Sequence, residues 1–154
     1  MRAVICTINV GGEEGNRNMV IDVLFLVDIF IFVDGAVRID GEFVEHESEK
    51  YELISFVKGS GVEVFVKRGL VGWVEVEEHD EWMVVLKGKE RDDEGVMRSV
   101  RIGGVYLRPD RGVAEVNLGK GKLERCDVII GDFNARNPRW GTKSEDTTMN
   151  VYGR

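Results

Sequence analysis

Prolines and histidines are scarce in this sequence, with two of each in 154 residues, and there is no run of about 20 apolar residues. The longest apolar candidate, residues 19–33, is interrupted by Asp22 and Asp28. The N-terminus also lacks the long apolar region and small-residue cleavage site of a secretory signal. The sequence therefore predicts an intracellular protein, nuclear or cytoplasmic, with no membrane partner.

Cysteine is equally scarce, and its placement excludes two common roles. Cys6 and Cys126 each lie inside an apolar run and form no CxxC pair, which favours two reduced core cysteines over a disulfide or a zinc site. Basic residues number 21 against 28 acidic ones, for a formal net charge of −7. That balance counts against a broad positive surface for nonspecific DNA binding, although residues 120–125 and 136–139 contain local basic groups.

Short β-branched and aromatic segments separated by turn residues run through the sequence and predict strands. The segment DIFIFVD, residues 28–34, is mostly apolar, as is typical of a strand buried on both faces. A short helix is predicted over residues 19–26, and strands over residues 2–10, 28–34, 51–57, 62–67, 72–77, 82–86, 96–106 and 126–130. Together these elements predict a sheet-rich α+β fold.

The segment GDFNARNPRWG, residues 131–141, follows the last predicted strand. In an extended chain alternate side chains share a side, so Asp132 and Asn134 would face one way and Phe133 the core. Gly131 would permit a tight exit from the strand. A carboxylate beside an amide can hold a water molecule and a phosphate oxygen. The alternative is a purely local turn, because Asp and Asn commonly follow strands.

Three other strand ends carry polar side chains of a similar kind. Asn9 ends the first strand, Asp34 ends the second, and Tyr106 lies near the end of a later one. Taken singly, each has a local explanation as a capping amide, a turn acid or a half-buried phenol. Together with Asp132 and Asn134, they would place two carboxylates, two amides and a phenol along one sheet edge. Oxygen-rich clusters of this kind suit Mg²⁺.

The GDFN block resembles that of the endonuclease/exonuclease/phosphatase superfamily, which has the DNase I-like fold. The Pro-x-Trp-Gly that follows is most similar to the endonuclease domains of non-LTR retrotransposons. Other blocks resemble the family in the same order along nearly the whole chain. They are the first-strand Asn at Asn9, the metal-binding Glu block at DIFIFVD, the GGVAIFV-type strand at residues 60–66, and the catalytic Tyr or His block at VYLRP.

This resemblance implies the N-terminal two-thirds of a DNase I-like four-layer α/β sandwich, with residues 1–154 as a single, C-terminally incomplete domain. It implies Mg²⁺-dependent phosphodiester hydrolysis. Asp34 would hold the metal with support from Asn9. Asp132 would activate the attacking water, Asn134 would bind the scissile phosphate, and Tyr106 would stabilise its developing charge.

For a retrotransposon-type endonuclease, the resemblance also implies contact with the DNA backbone beyond the GDFN block. The residues in that position are Arg136, Asn137, Arg139 and Trp140. The alternative for Trp140 is a loop anchor packed on the sheet.

The chain departs from the family pattern at two points. Asp34 stands where the family has Glu, and its shorter side chain predicts weaker Mg²⁺ binding, with Mn²⁺ as a better fit. The final Ser-Asp-His block is missing, which predicts exposed apolar surface on the second sheet.

His46 and His79 lie in acidic contexts and are predicted to face solvent. A non-catalytic, degenerate fragment of the fold and a phosphatase acting on a small molecule or lipid headgroup therefore stay open as alternatives.

Lengthening the side chain at position 34 tests the metal assignment. We expect Asp34→Glu to bind Mg²⁺ several-fold more tightly, because octahedral contacts of about 2.0–2.1 Å tolerate little error in reach. Isothermal titration with Mg²⁺, repeated with Mn²⁺, measures the change. A Mg²⁺ affinity no higher than that of the native chain would contradict the assignment.

Overall fold

Two four-stranded β-sheets form the core of the computed structural model, which describes residues 3–11, 19–20, 26–34, 50–57, 61–91, 94–108 and 121–135. A 3₁₀ helix, Arg68–Trp73, connects the two sheets. Within the described residues, no helix has the length and apolar character needed to span a bilayer. The strands, in chain order, are β1 (Ile5–Asn9), β2 (Ile29–Val33), β3 (Tyr51–Phe56), β4 (Val62–Lys67), β5 (Val74–His79), β6 (Met83–Arg91), β7 (Met97–Tyr106) and β8 (Val128–Asp132).

The first sheet has the strand order β1-β2-β4-β3. β1 and β2 run parallel, and β4 is antiparallel to both of its neighbours. β2 is buried at every position, because Ile29 and Ile31 face the second sheet while Phe30 and Phe32 pack on the opposite face. The prediction that DIFIFVD contains a strand buried on both faces is confirmed.

The second sheet has the strand order β5-β6-β7-β8. β6 and β7 form a long antiparallel hairpin, paired from Met83 opposite Val105 to Arg91 opposite Met97. β8 pairs with β7 in parallel at the edge of the sheet. Each sheet therefore contains one parallel pair, β1/β2 in the first and β7/β8 in the second.

The inner faces of the two sheets pack against each other through a mainly aliphatic core. Each fully buried large apolar side chain contributes about 1.5–3 kcal/mol, so this contact holds the sheets face to face. The outer face of the first sheet carries an aromatic cluster, in which the rings of Phe30 and Phe32 stack at 5.2 Å. The inner core residues are Ile29, Ile31, Val33, Val62, Val64 and Val66 from the first sheet, and Val84, Leu86, Ile102 and Tyr106 from the second.

Most predicted strands are confirmed, and the differences arise from tertiary pairing. Residues 68–73 form a 3₁₀ helix, so the strand predicted from residue 72 begins only at Val74. β6 continues to Arg91 because its pairing with β7 carries polar residues into the hairpin. β8 extends through Asp132, so the GDFN segment begins inside the strand. The predicted helix at 19–26 lies mostly outside the described residues, although residues 19–20 are helical.

The two open sides of the sandwich differ in character. On one side, β3 and β5 carry charged side chains and register shifts, which discourage pairing with another strand. On the other side, β1 and β8 pair with their neighbours in continuous register. Val128 and Ile129 of β8 are 47% and 42% exposed, so apolar surface is exposed at the second sheet as predicted.

Gly104 of β7 faces β2 across the core and offers a test of this packing. A Cβ added at Gly104 would lie 2.8 Å from Cγ2 of Ile31 and 3.0 Å from Cγ1 of Val84. We expect Gly104→Ala to lower the free energy of unfolding by about 1–3 kcal/mol, the usual cost of overpacking. Urea denaturation measures the loss.

Gly88→Ala in β6 is the matched control for Gly104→Ala. Its added Cβ would lie 3.8 Å from the nearest atom, the carbonyl oxygen of Val100, which is an ordinary contact. We expect Gly88→Ala to change stability by less than about 1 kcal/mol. Equal losses in the two variants would contradict the close packing at Gly104.

Candidate functional site

The carboxyl ends of the two parallel strand pairs meet at one edge of the sandwich. In the first sheet, Asn9 ends β1 opposite Val33, and Asp34 follows Val33 directly. In the second sheet, Tyr106 ends β7 opposite Asp132, the last residue of β8. Because β1 contacts β8 and β2 contacts β7, the structure brings these predicted strand-end groups together.

Asn9 and Asp132 form the first hydrogen-bonded pair between the sheets. Nδ2 of Asn9 donates to Oδ2 of Asp132 over 2.9 Å. The backbone N–H of Gly11 donates to Oδ1 of Asn9 over 2.8 Å, which fixes the orientation of the amide. Oδ1 of Asp132 accepts a 2.9 Å hydrogen bond from the backbone N–H of Asn134. Both oxygens of the Asp132 carboxylate are therefore held by donors from separate segments.

Asp34 and Tyr106 form the second pair. The Tyr106 hydroxyl donates to Oδ1 of Asp34 over 2.7 Å, and Tyr106 is only 6% exposed. Burial raises the pKa of Tyr106 most, followed by the hydrogen bond to Asp34 and the charges of Asp34 and Asp132, while Arg108 acts in the opposite direction. Tyr106 therefore stays a neutral hydrogen-bond donor at physiological pH.

The chain turns sharply after β8 instead of staying extended. Asn134 has a φ of 44°, and its N–H bond to Asp132 Oδ1 closes an Asx-type turn. The predicted alternation of side chains therefore fails, and the prediction that Phe133 anchors the core is wrong, since Phe133 is 40% exposed. Nδ2 of Asn134 donates to the carbonyl of Leu107 over 2.9 Å, which holds the amide near Asp132. The sequence left two alternatives for this segment, a local turn and a cluster of Asp132 with Asn134, and the structure contains both.

Gly131 has a φ of 153°, a conformation that favours glycine, in agreement with the prediction that it permits the tight exit from the strand. It lies inside β8, and a Cβ added there would overlap the backbone carbonyl of Val105 in β7. Glycine is required because, at this φ, a Cβ would meet the backbone of β7 one residue before Asp132.

Asp34 and Asn9 bring oxygen donors to this edge of the sandwich, and their chemistry can be compared with what Mg²⁺ requires. Asp34 offers Oδ2 in addition to the oxygen bonded to Tyr106, and Oδ1 of Asn9 has a second lone pair. The described part of the chain contains no group of three or more His, Cys, Asp or Glu residues that would enclose a metal. Mg²⁺ is commonly bound by one or two carboxylates plus waters and substrate phosphates, so the donors of Asp34 and Asn9 fit it.

The other residues singled out from the sequence either lie outside the described residues or form contacts elsewhere. The predicted substrate contacts Arg136, Asn137, Arg139 and Trp140, together with His46, lie outside the described residues. In the basic segment 120–125, Lys122 and Arg125 form ion pairs with Glu78 of β5. Their charges are therefore partly neutralised within the protein.

Two further residues at or near this edge have roles that sequence reasoning missed. The prediction that His79 faces solvent is wrong, because it is half-buried at the end of β5 with Nδ1 2.5 Å from Oγ of Ser55. Arg108 lies two residues beyond Tyr106 and lowers the pKa of its hydroxyl. A basic residue two positions beyond a polar strand end, as in VYLRP, is the signal that would have identified Arg108.

Comparison with solved structures supports a DNase I-like fold. The chain is similar to the endonuclease domain of TRAS1, a telomere-specific non-LTR retrotransposon, with a TM-score of 0.61 and 16% sequence identity. The similarity covers 97% of this chain and 66% of that chain, so this chain spans about two thirds of the neighbour's length. No family model and no curated protein matches the sequence. The sheet-rich, DNase I-like fold predicted from the sequence is confirmed.

Tyr106→Phe tests the pair between Tyr106 and Asp34 while keeping the ring. The folded pKa of Tyr106 lies above its unfolded value of about 10, so the pair contributes fully to stability below pH 10 and loses this contribution as the pH rises further. We expect the variant to lose about 0.5–1.5 kcal/mol of unfolding free energy at pH 7. Urea denaturation at pH 7 and above pH 10 measures the effect. Between these pH values, the free energy of unfolding should fall less in the variant than in the native chain.

An ultraviolet titration of tyrosinate provides an independent reading of the same group. The native chain should show one tyrosinate transition that Tyr106→Phe lacks, and this transition should occur at a higher pH than that of ordinary tyrosines. A missing transition near pH 10 would contradict the raised pKa of Tyr106.

Proposed function

We propose that this chain is a metal-dependent nuclease of the endonuclease/exonuclease/phosphatase type that hydrolyses phosphodiester bonds in DNA. The observation that supports this most is the pair of hydrogen bonds, Asn9–Asp132 and Asp34–Tyr106, at the edge where both parallel strand pairs end. On a DNase I-like fold, this cluster supplies the carboxylate, amide and phenol groups that phosphoryl transfer to water requires.

Asp132 is the residue we assign to the attacking water. Its two oxygens accept hydrogen bonds from Asn9 and from the backbone of Asn134, and each oxygen has a further lone pair. A carboxylate held in this way can orient a water molecule and take its proton as it attacks phosphorus. General base catalysis of this kind contributes about 10²–10⁴-fold in rate.

Tyr106 and Asn134 are the residues we assign to the phosphate. The raised pKa of Tyr106 keeps its hydroxyl protonated. Its single proton is donated to Asp34 in the free chain and would turn to a phosphate oxygen as negative charge develops there. Asn134 is anchored by its hydrogen bond to Leu107, which places the amide beside the carboxylate that orients the water. The Asn134 amide is therefore positioned before the substrate arrives, whereas the Tyr106 hydroxyl would exchange Asp34 for the phosphate.

Asp34, supported by Asn9, would hold Mg²⁺, with Mn²⁺ as a better match for the short Asp34 side chain. When bound, the metal supplies positive charge that offsets the charge developing on the phosphate. The Tyr106 hydroxyl fixes one oxygen of Asp34 and leaves the other in a defined orientation.

DNA is the substrate we favour, and its binding would depend on local cations. The net charge of −7 opposes long-range attraction between the chain and a phosphate backbone. Arg108, whose charge acts on Tyr106, is a cation close to the site. The further contacts we propose from the sequence are Arg136, Asn137, Arg139 and Trp140. A nuclear or cytoplasmic location would be consistent with this substrate.

A nicking assay on supercoiled plasmid tests the proposed function. In the presence of Mg²⁺, and in a second series with Mn²⁺, we expect the native chain to convert supercoiled DNA to open circles. Asp132→Asn should slow this conversion by about 10²–10⁴-fold, because an amide cannot take the proton from water.

Asp127→Asn is the matched control for the nicking assay. Asp127 lies beside the opposite end of β8 and accepts a hydrogen bond from the backbone N–H of Arg101, so cleavage should be retained. Cleavage by the native chain no faster than by Asp132→Asn with either metal would reject the nuclease. Phosphate release from a small phosphomonoester that depends on Asp132, without nicking, would indicate a phosphatase instead.

A further inference from the structure

His79 lies at the same edge of the sandwich as the candidate site. β5 and β7 are both antiparallel to β6, so His79 at the end of β5 and Tyr106 at the end of β7 reach the same edge. Nδ1 of His79 is 2.5 Å from Oγ of Ser55 in β3. The imidazole also hydrogen-bonds to the backbone of Val62, the first residue of β4. His79 therefore joins the second sheet to two strands of the first.

The residue that precedes the backbone contact of His79 lies directly against Tyr106. Gly61 precedes Val62, and a Cβ added at Gly61 would overlap Cδ1 and Cε1 of the Tyr106 ring. The ring therefore packs on the bare Cα of Gly61. A shift of this backbone would let the ring move, and with it the 2.7 Å hydrogen bond from the hydroxyl to Asp34.

The turn after His79 supports Tyr106 through its backbone. Oδ1 of Asp80 accepts hydrogen bonds from the N–H groups of Trp82, over 3.2 Å, and Met83, over 3.1 Å. The carbonyl of Trp82 in turn accepts a 2.8 Å hydrogen bond from the N–H of Tyr106. The consecutive residues His79 and Asp80 thus act on the ring and on the backbone of Tyr106, respectively.

The chemistry of a neutral imidazole matches the groups around His79. Burial lowers the pKa of His79, with Asp80 and the hydrogen bond to Val62 acting in the opposite direction, so the ring is neutral at physiological pH. A neutral imidazole has one donor and one acceptor. It can therefore donate to the backbone carbonyl and accept from the Ser55 hydroxyl at the same time.

We propose that His79 is a positioning residue of the candidate active site, acting through the Gly61–Val62 backbone to hold the Tyr106 hydroxyl in place. Its consequence for rate rests on the proposed function. Misplacing a group that acts on the reacting atoms by about 1 Å can cost about 10²-fold in rate. His79 can therefore influence catalysis through Tyr106 without touching the substrate.

The experiment combines a spectroscopic readout with kinetics on the full chain. Ring-¹³C tyrosine labelling gives Tyr106 resonances that are assigned by their loss in Tyr106→Phe and require no activity. We expect His79→Ala to shift these resonances and to lower kcat for plasmid nicking about 10-fold or more, with KM within about twofold. His79→Gln keeps a donor and an acceptor, so its Tyr106 resonances and its kcat should lie close to those of the native chain. If His79→Ala does not fold, Ser55→Ala is measured in the same way.

Val76→Ala is the matched control for a general loss of stability. Val76 also lies in β5 and packs against the core between the sheets. This variant should leave the Tyr106 resonances and kcat unchanged at a temperature where circular dichroism shows every variant folded. An equal effect in Val76→Ala would overturn the inference.

The two proposals can fail separately. Unchanged Tyr106 resonances in His79→Ala overturn the positioning role, whether or not the chain cleaves DNA. If His79→Ala shifts the Tyr106 resonances but the native chain cleaves no DNA, the positioning role is supported and the nuclease is rejected. If the native chain cleaves DNA and His79→Ala shifts the Tyr106 resonances without lowering kcat, the inference is overturned.

Discussion

Apolar contact between the inner faces of the two sheets is the constraint on which the rest of the structure depends. β2 and β4 are almost completely buried, and their aliphatic side chains pack onto those of β6 and β7. This packing sets the relative position of two parallel strand pairs that belong to different sheets. Because each pair ends in polar residues, the same contact fixes the functional groups on rigid elements, to which a precise site is best attached.

Polar contacts between the sheets are concentrated at the edge rather than in the core, where an unpaired polar group would be costly. The left-handed backbone conformations of Asp34 and Asn134 occur at this same edge. Such conformations cost about 1–3 kcal/mol and persist only where the surrounding structure enforces them. The apolar core therefore supports an edge that is polar and locally strained. Among the described residues, the side-chain pairs that join the sheets there are Asn9–Asp132, Tyr106–Asp34 and His79–Ser55.

Periodicity and turn residues are enough to predict most strands and the polar residues at their ends, because both signals are local. Phe133 shows where local reasoning stops, since it is 40% exposed and is followed by a residue with positive φ, and alternation reveals neither feature. His79 shows a second limit. Its acidic neighbours in sequence suggest a solvated loop, but its partners Ser55 and Val62 lie far away along the chain. Only the stacking of the sheets brings these residues together.

The two sheets come from consecutive halves of the chain, residues 5–67 and 74–132, with the 3₁₀ helix between them. Asn9 and Asp34 belong to the first half, and their partners Asp132 and Tyr106 belong to the second. Neither half alone contains both members of the Asn9–Asp132 pair or of the Asp34–Tyr106 pair. The Asn9–Asp132 and Asp34–Tyr106 pairs therefore form only when the two sheets pack together, and a chain cut within the 3₁₀ helix would hold neither pair until its two parts associate.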